Sequence, residues 1–391
     1  MRLPDGEPAP PDGRLPAGRS GRPLGIYVHV PYCAARCGYC DFNTYVAGAG
    51  ERAAWRAAAV AEVELAARVL GDGPPVRTVF FGGGTPTLLP PADLLAVLDA
   101  VRGRLGLAPG AEVTVEANPE SVSPTSLAAL RAGGVTRISL GMQSASARVL
   151  ATLDRRHTPG RAVAAAREAR AAGFEHVSLD LMFGAPGEDD ADWDASLDAA
   201  LSAEPDHVSL YGLILEPGTR LTARVRRGEL AALDEEAMER RYLHADARLR
   251  AAGFDWYELA NWARDASARC RHNQGYWRGD DWWGIGPGAH SHVGGVRWWN
   301  QLRPRAWRAA LDEGRSPAAG RERLDSAARR LEALMLGLRT AGGVALRDGE
   351  LASAGELAGR GLLDPRALAG GRARLTLRGR LMADAVTRAL V

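Results

Sequence analysis

Six short apolar runs, separated by Ala-rich stretches of helical composition, constrain the fold of this chain more than any other feature. The runs are 25–30, 76–82 (V-R-T-V-F-F-G), 112–117 (E-V-T-V-E-A), 135–140, 176–183 (H-V-S-L-D-L-M-F) and 207–213 (H-V-S-L-Y-G-L). Between them the spacing predicts helices near 50–70, 91–104, 124–132, 159–172 and 191–203. Continuous apolar strands alternating with helices mark parallel βα units whose sheet is covered on both faces. Six units are too few to close an eight-stranded barrel, so the expected class is α/β, a partial, open (β/α)6 barrel over 24–232.

Other segments read differently. Residues 1–23 hold ten Pro or Gly and no apolar period, a composition that predicts a disordered tail. A helix is expected near 234–252. The connecting region 233–320 carries eight of the ten tryptophans, Trp256, Trp262, Trp277, Trp282, Trp283, Trp298, Trp299 and Trp307. Core packing is the ordinary role of Trp, but this density also suggests a platform near the barrel mouth. Residues 321–391 show helices and a Gly-punctuated, hairpin-like stretch near 360–380, the pattern of a winged-helix-like α+β domain.

Bulk composition is that of an ordinary globular protein, 46% hydrophobic with a net charge of +2. All 49 basic residues are arginines. Those around 360–380 lack interleaved aromatics and read as a solvated face, so nucleic acid is not expected as a partner. Four cysteines, three of them clustered, argue against a disulfide framework and for a reducing compartment. There is no signal-like opening and no apolar run of transmembrane length. The expected location is the cytoplasm.

The clustered cysteines, Cys33, Cys37 and Cys40, stand in C-x3-C-x2-C spacing directly after the first strand. Three thiolates cannot close a tetrahedral structural zinc site without borrowing His29 or the distant Cys270. They can hold three irons of a 4Fe–4S cubane and leave the fourth open to a small molecule. Other chemistry-bearing residues also fall at strand ends, where α/β folds gather their sites. Gly82-Gly83-Gly84-Thr85-Pro86-Thr87 follows the second strand, Glu116 ends the third, Gln143 follows the fourth and Asp180 lies late in the fifth. The glycines permit positive φ and close approach, so that backbone amides can meet a charged ligand. Glu116 and Asp180 can accept from hydroxyls or an ammonium, and Arg155 can pair with a carboxylate. Tyr39, beside Cys40, can lay its ring over a bound ligand.

C-A-A-R-C-G-Y-C (33–40) after an apolar strand, with G-G-G-T-P-T one βα unit later, resembles the radical S-adenosylmethionine (SAM) superfamily. The resemblance implies that SAM chelates the open iron and that reduction of the cluster, by an electron donor, cleaves SAM to a deoxyadenosyl radical. The match is closer still in V-H-V-P-Y-C (28–33), V-E-A-N-P-E (115–120), I-S-L-G-M-Q-S (138–144), L-D-R-R-H (153–157), S-L-D-L-M-F-G-A-P-G-E (178–188) and S-L-Y-G-L-I-L-E-P-G-T (209–219). With H-N-Q-G-Y-W (272–277) and G-I-G-P-G-A-H-S (284–291), these run in the order of the oxygen-independent coproporphyrinogen III dehydrogenase-like (HemN-like) family, across residues 24–391. By that resemblance, Tyr27, Gly83, Gly84, Thr85, Glu116, Gln143, Arg155 and Asp180 contact SAM.

One departure selects a branch. The dehydrogenases, which decarboxylate two propionates oxidatively, carry a further cysteine two places after the third. Here that place is Phe42, and the C-x-F form resembles the haem-chaperone branch, HemW. That branch implies haem as cargo and a haem-accepting protein as partner. In its H-N-Q-G-Y-W block, His272 is the candidate axial ligand, with Tyr276 and Trp277 as flat apolar surface. An ordinary hydrogen-bonded histidine is the competing reading of His272, and His290 and His292 are weaker candidates.

Overall fold

The computed structural model describes residues 3–16, 18–46, 48–232 and 234–391. Each predicted apolar run forms a strand and each following Ala-rich stretch a helix. The first three pairs are β1 (Leu24–Val30) and α1 (Ala49–Leu70), β2 (Val76–Gly83) and α2 (Pro91–Leu105), and β3 (Leu107–Ala117) and α3 (Pro124–Ala132). Then β4 (Arg137–Gln143) leads to α4 (Ala147–Thr152) and α5 (Arg161–Ala171), β5 (His176–Phe183) to α6 (Asp190–Ser202), and β6 (His207–Gly212) to α7 (Arg220–Arg226) and α8 (Glu235–Ala251). Next come β7 (Asp255–Glu258), β8 (Asn261–Ala263), α9 (Arg271–Arg278), β9 (Asp281–Ile285), β10 (His290–Val293), β11 (Val296–Asn300), α10 (Pro304–Asp312) and β12 (Ala318–Arg323). The chain closes with α11 (Ser326–Leu338), β13 (Val344–Ala345), α12 (Leu351–Gly359), α13 (Pro365–Ala369), β14 (Arg372–Ala373), α14 (Leu377–Leu381) and α15 (Ala383–Leu390). Helix starts follow cap chemistry: Ser123 and Asp189 accept from the backbone N–H three residues on, in capping boxes at α3 and α6.

Two compact units result. One takes residues up to Arg241 together with Asp280–Arg323, and the other takes Tyr242–Gly279 with Leu324–Val391. In the first unit β1 to β6 stand side by side in chain order, every pair parallel. This is the open (β/α)6 arrangement that the alternation implies. Large side chains seal the sheet against its helices, with Trp55 and Trp193 fully buried.

The sequence boundaries at 233 and 321 do not coincide with these units. β9 pairs parallel with β1, and β10, β11 and β12 continue that same sheet antiparallel. Residues 280–323 therefore extend the barrel sheet, whereas 242–279 fold with the C-terminal residues. Four- to six-residue strands of mixed charge and Trp carry too short a period to be read from sequence. Most tryptophans of 280–323 are core rather than platform: Trp283, Trp298 and Trp299 on the strands and Trp307 on α10 are buried, Trp282 is not, and Trp283 meets Trp298 edge-on at 4.8 Å.

The segment read as a disordered tail is tied down among its described residues. Glu7 exchanges backbone hydrogen bonds of 2.9 Å with Arg321 on the edge strand β12, and Gly6 lies against the Trp299 ring. Arg19 donates to Pro74 O at 2.8 Å, and Ser20 N–H donates to Asp281 at 2.8 Å. An open sheet edge offers unpaired backbone groups, and a Pro-rich strap can satisfy them without a core of its own. Met1, Arg2 and Ala17, which fall in the same segment, lie outside the described residues.

The second unit is mainly helical, with the β7–β8 hairpin and a two-stranded β13–β14 ribbon. Leu334, Leu338, Leu357, Leu363 and Val386 lie in its core. Near 360–380, Leu363 and Leu375 form an antiparallel bridge, while β14 finds its strand partner in β13. Among the described residues, no helix is long and apolar enough to cross a membrane.

One buried carboxylate ties the sheet extension to α1. Glu62 accepts from Gly286 N–H at 2.8 Å, from Trp307 Nε1 at 2.7 Å and from Asn300 Nδ2 at 2.7 Å. Glu62→Ala strands three buried donors, each costing about 1–3 kcal/mol, and should lower stability by about 3 kcal/mol or more in calorimetry. Burial nonetheless pushes the Glu62 carboxyl up to about 7, above its unfolded value of about 4.3. A raised acid contributes stability below the unfolded value and loses it as pH rises through the folded one. The wild-type melting temperature should therefore fall as pH rises from about 4.5 to about 7 and level off above that, and Glu62→Gln should flatten that slope.

Candidate cluster and cofactor site

The cysteine loop follows β1 and is pinned along its length. Cys33 N–H donates to Tyr45 O at 3.0 Å and Tyr45 N–H to Pro31 O at 2.7 Å. Gly38 N–H donates to Leu153 O at 3.1 Å and Gly38 O accepts from Leu221 N–H at 2.9 Å. Asn43 Nδ2 reaches Pro287 O at 3.0 Å and Leu302 O at 2.9 Å. Cys33, Cys37 and Cys40 are free, half-buried thiols on this loop, and burial pushes Cys33 and Cys40 upward. Among the described residues no three His, Cys, Asp or Glu side chains are set to hold one metal ion. A cubane asks for something wider, one thiolate at each of three separate irons.

His29 does not supply a fourth ligand. Its Nε2 faces Asn43 O at 3.0 Å and its Nδ1 faces the Tyr27 hydroxyl at 3.0 Å. Burial lowers the imidazole to about 4, so it is neutral at pH 7. A carbonyl only accepts, so Nε2 carries the proton and Nδ1 accepts from Tyr27. Cys270 stands at the N-cap of α9, in the other unit.

The Gly-rich turn after β2 works differently from the sequence expectation. Gly83 N–H donates to Glu116 at 3.1 Å, Gly84 N–H to Val30 O at 2.8 Å and Thr85 N–H to Tyr32 O at 2.8 Å. These three amides are committed inside the protein rather than presented to an anion. What the glycines provide is proximity. Gly83 has φ +110, and a Cβ there would stand 2.5 Å from the His29 ring. A Cβ on Gly84 would stand 2.6 Å from Tyr32 O and 3.0 Å from Cys33 Sγ. Thr85 Oγ1 donates toward Cys33 Sγ at 3.8 Å.

Beyond the turn, charges are set around the strand ends. Glu116 ends β3, and burial together with the charge of Asp180 pushes it up to about 8. Asp180 on β5 accepts from Ser139 Oγ at 2.8 and 3.0 Å, and burial raises it too. Gln143 closes β4 with φ +64, at a register shift between Gly141 and Gln143. Strained backbone of this kind gathers at functional sites. Arg155 donates to Gly141 O at 3.1 Å and to Cys37 Sγ at 3.6 Å, and its Nε is buried with no hydrogen-bond partner. Tyr39 packs into an apolar cluster with Leu153, Met182 and Leu213.

These residues fit SAM and a cluster. An unsatisfied buried guanidinium N–H suits a carboxylate, and two half-buried carboxyls at the strand ends suit an ammonium and ribose hydroxyls. When bound, the cluster supplies an electron to SAM. Cys33, Cys37, Cys40, Tyr27, Thr85, Glu116, Gln143, Arg155 and Asp180 all lie on the β1 to β5 side of one unit.

His272 lies in the second unit on α9, buried, with Nε2 2.8 Å from the Tyr276 hydroxyl and the two rings edge-on at 5.0 Å. Asn273 donates to the buried Glu258 at 3.1 Å, and Asn261 donates to the same oxygen. His290 and His292 belong to β10 of the first unit, where His292 Nδ1 meets Asp280 O at 3.1 Å.

Comparison with known proteins decides the family. The radical SAM superfamily matches residues 27–200. The heme chaperone HemW of Mycobacterium tuberculosis is 52% identical over 376 residues, 95% of each chain. The chain belongs to the HemW family. HemW of Synechocystis is 39% identical, over 82% of this chain and 79% of that one. The solved structure of coproporphyrinogen III oxidase (HemN) from Escherichia coli, a radical SAM enzyme, shares the fold with a TM-score of 0.82. It covers 97% of this chain and 91% of that one at 22% identity. Membership of the radical SAM superfamily implies a 4Fe–4S cluster and SAM.

In this HemW-family chain Phe42, the residue in place of a fourth cysteine, is 56% exposed. Sequence reading missed Gly141 at this site and, in the second unit, Glu258. A Cβ on Gly141 would stand 2.8 Å from Arg155 Nη2 and 3.0 Å from Gln143 Nε2, so only glycine leaves room for both. Glu258, which organises the H-N-Q segment, was equally silent. Single polar residues in otherwise apolar strands were the available signal.

Proposed function

We propose that this chain is a haem chaperone: it binds haem and passes it to a haem-requiring acceptor protein. The observation that carries the reading is the 52% identity, along 95% of both chains, to a protein named heme chaperone HemW. Phe42 agrees with it, because the thiol of the coproporphyrinogen dehydrogenases is missing there. Cys33, Cys37 and Cys40 hold a 4Fe–4S cluster in this reading, and an electron donor reduces it. Tyr27, Tyr39, Gly83, Gly84, Thr85, Glu116, Gln143, Arg155 and Asp180 surround SAM. The protein works in the cytoplasm.

His272 is the proposed haem ligand. Its Nε2 is engaged by Tyr276, so ligation through that nitrogen exchanges a phenol for iron. Anaerobic haem titration tests this. His272→Ala should weaken haem binding by tenfold or more and leave cluster iron unchanged, and Tyr276→Phe should bind haem at least as tightly as wild type. Equal haem affinity in His272→Ala removes His272 from the site.

A further inference from the structure

Three successive strands repeat one pattern, a β-branched residue followed by Ser-Leu: I-S-L at 138–140 on β4, V-S-L at 177–179 on β5 and V-S-L at 208–210 on β6. Side chains alternate across a strand, so each serine faces away from its neighbouring leucine. Leu140, Leu179 and Leu210 are buried on the helix side of the sheet, where α5 packs on β4 and β5. The three serines therefore share the opposite, inner face with Asp180. Barrel interiors are ordinarily filled by branched apolar side chains, and each buried hydroxyl is costly unless hydrogen-bonded. Ser178 and Ser209 are buried and Ser139 is half-buried, so three hydroxyls on adjacent strands need a reason.

Register supplies it. Ser139 lies beside Ser178, and Asp180 lies beside Ser209. Ser139 Oγ donates to both oxygens of Asp180, at 2.8 and 3.0 Å, and Ser209 is a second side-chain donor to the same carboxylate. Ser178 is engaged elsewhere, 2.7 Å from His207 Nδ1. Donors from β4 and β6 on either side hold the Asp180 carboxylate between its neighbouring strands.

We propose that Ser139 and Ser209 are positioning residues for SAM, orienting the Asp180 carboxylate to receive the ribose hydroxyls. This rests on the reading of Asp180 as a SAM contact. A hydroxyl donating to a charged acceptor is a strong hydrogen bond, and its loss frees the carboxylate to rotate away from the diol. Loss of either serine should weaken SAM about tenfold and loss of both about 100-fold.

The test uses the anaerobically reconstituted full chain and two probes, SAM and S-methylmethionine. The second keeps the amino acid and sulfonium but has no ribose. Binding is read from the change each probe makes in the EPR spectrum of the reduced cluster. Ser139→Ala and Ser209→Ala should lose about tenfold toward SAM, with S-methylmethionine unchanged and cluster iron at the wild-type level. Ser139→Thr, which keeps the hydroxyl, should recover most of the SAM affinity. Unchanged SAM affinity in both alanine variants overturns the proposal, as does an equal loss toward both probes, which marks a general disturbance of the barrel. Asp180→Asn separates the two layers. If that variant binds SAM as wild type does, the assignment of Asp180 itself fails, whatever the serines do.

Discussion

Cys33→Ala, Cys37→Ala and Cys40→Ala should each abolish the 4Fe–4S cluster, leaving protein without the visible absorbance and the four irons of the reconstituted form. The loop that carries the three thiols is held by backbone hydrogen bonds to Tyr45, Leu153 and Leu221 and by the Asn43 anchor, so removing one sulfur should not collapse it. His29 cannot substitute. It spends both ring nitrogens on Tyr27 and Asn43. Anaerobic iron and sulfide analysis with EPR decides the matter. A full, SAM-responsive cluster in any one variant contradicts the ligand assignment.

Gly84→Ala should disable the same site without replacing a cluster ligand. Its Cβ would stand 2.6 Å from Tyr32 O and 3.0 Å from Cys33 Sγ. The Gly84 N–H to Val30 O and Thr85 N–H to Tyr32 O bonds, 2.8 Å each, hold the two segments in register. The methyl group must therefore push the cysteine loop itself. Overpacking of a fixed site costs about 1–3 kcal/mol, and here that cost falls on cluster geometry. SAM affinity should drop about 100-fold, equivalent to about 2.7 kcal/mol, with cluster yield reduced. Gly103→Ala is the control. It lies within α2, a Cβ there meets nothing within 4 Å, and alanine is the better helix former. That variant should bind SAM as wild type does and be no less stable.

Much of the barrel was legible because β1 to β6 are long, apolar and separated by helices of regular spacing. Their bounds in the structure fall within a few residues of the apolar runs, except that β3 begins at Leu107. The strands β9 to β12 were not legible. β9 is placed by pairing with β1, a contact between residues more than two hundred positions apart, and β10 to β12 are placed in turn beside it. For the same reason the N-terminal strap looked unstructured: its order comes from the β12 edge and the Trp299 ring, not from its own composition. At the site, residue types that carry charge or sulfur announced themselves. Cys33, Cys37, Cys40, Glu116, Arg155 and Asp180 all sit where strand ends converge.

Roles set by geometry stayed hidden. The Gly83, Gly84 and Thr85 amides look available in sequence, yet each has an internal acceptor. Gly141 and Ser139 look like filler in an apolar strand until the neighbouring strands are in register. His272 lies between the two cases: the motif singles it out, and the structure shows its Nε2 already bonded to Tyr276.

The central claim is haem transfer by a radical SAM protein that does not decarboxylate porphyrinogens. Anaerobically reconstituted protein with SAM and reductant should be offered coproporphyrinogen III in one assay and haem, followed by an apo haem-protein acceptor, in another. The account predicts stoichiometric haem binding, transfer to the acceptor and no loss of propionate carboxylates. Decarboxylation of coproporphyrinogen III with consumption of SAM, without haem transfer, would contradict it.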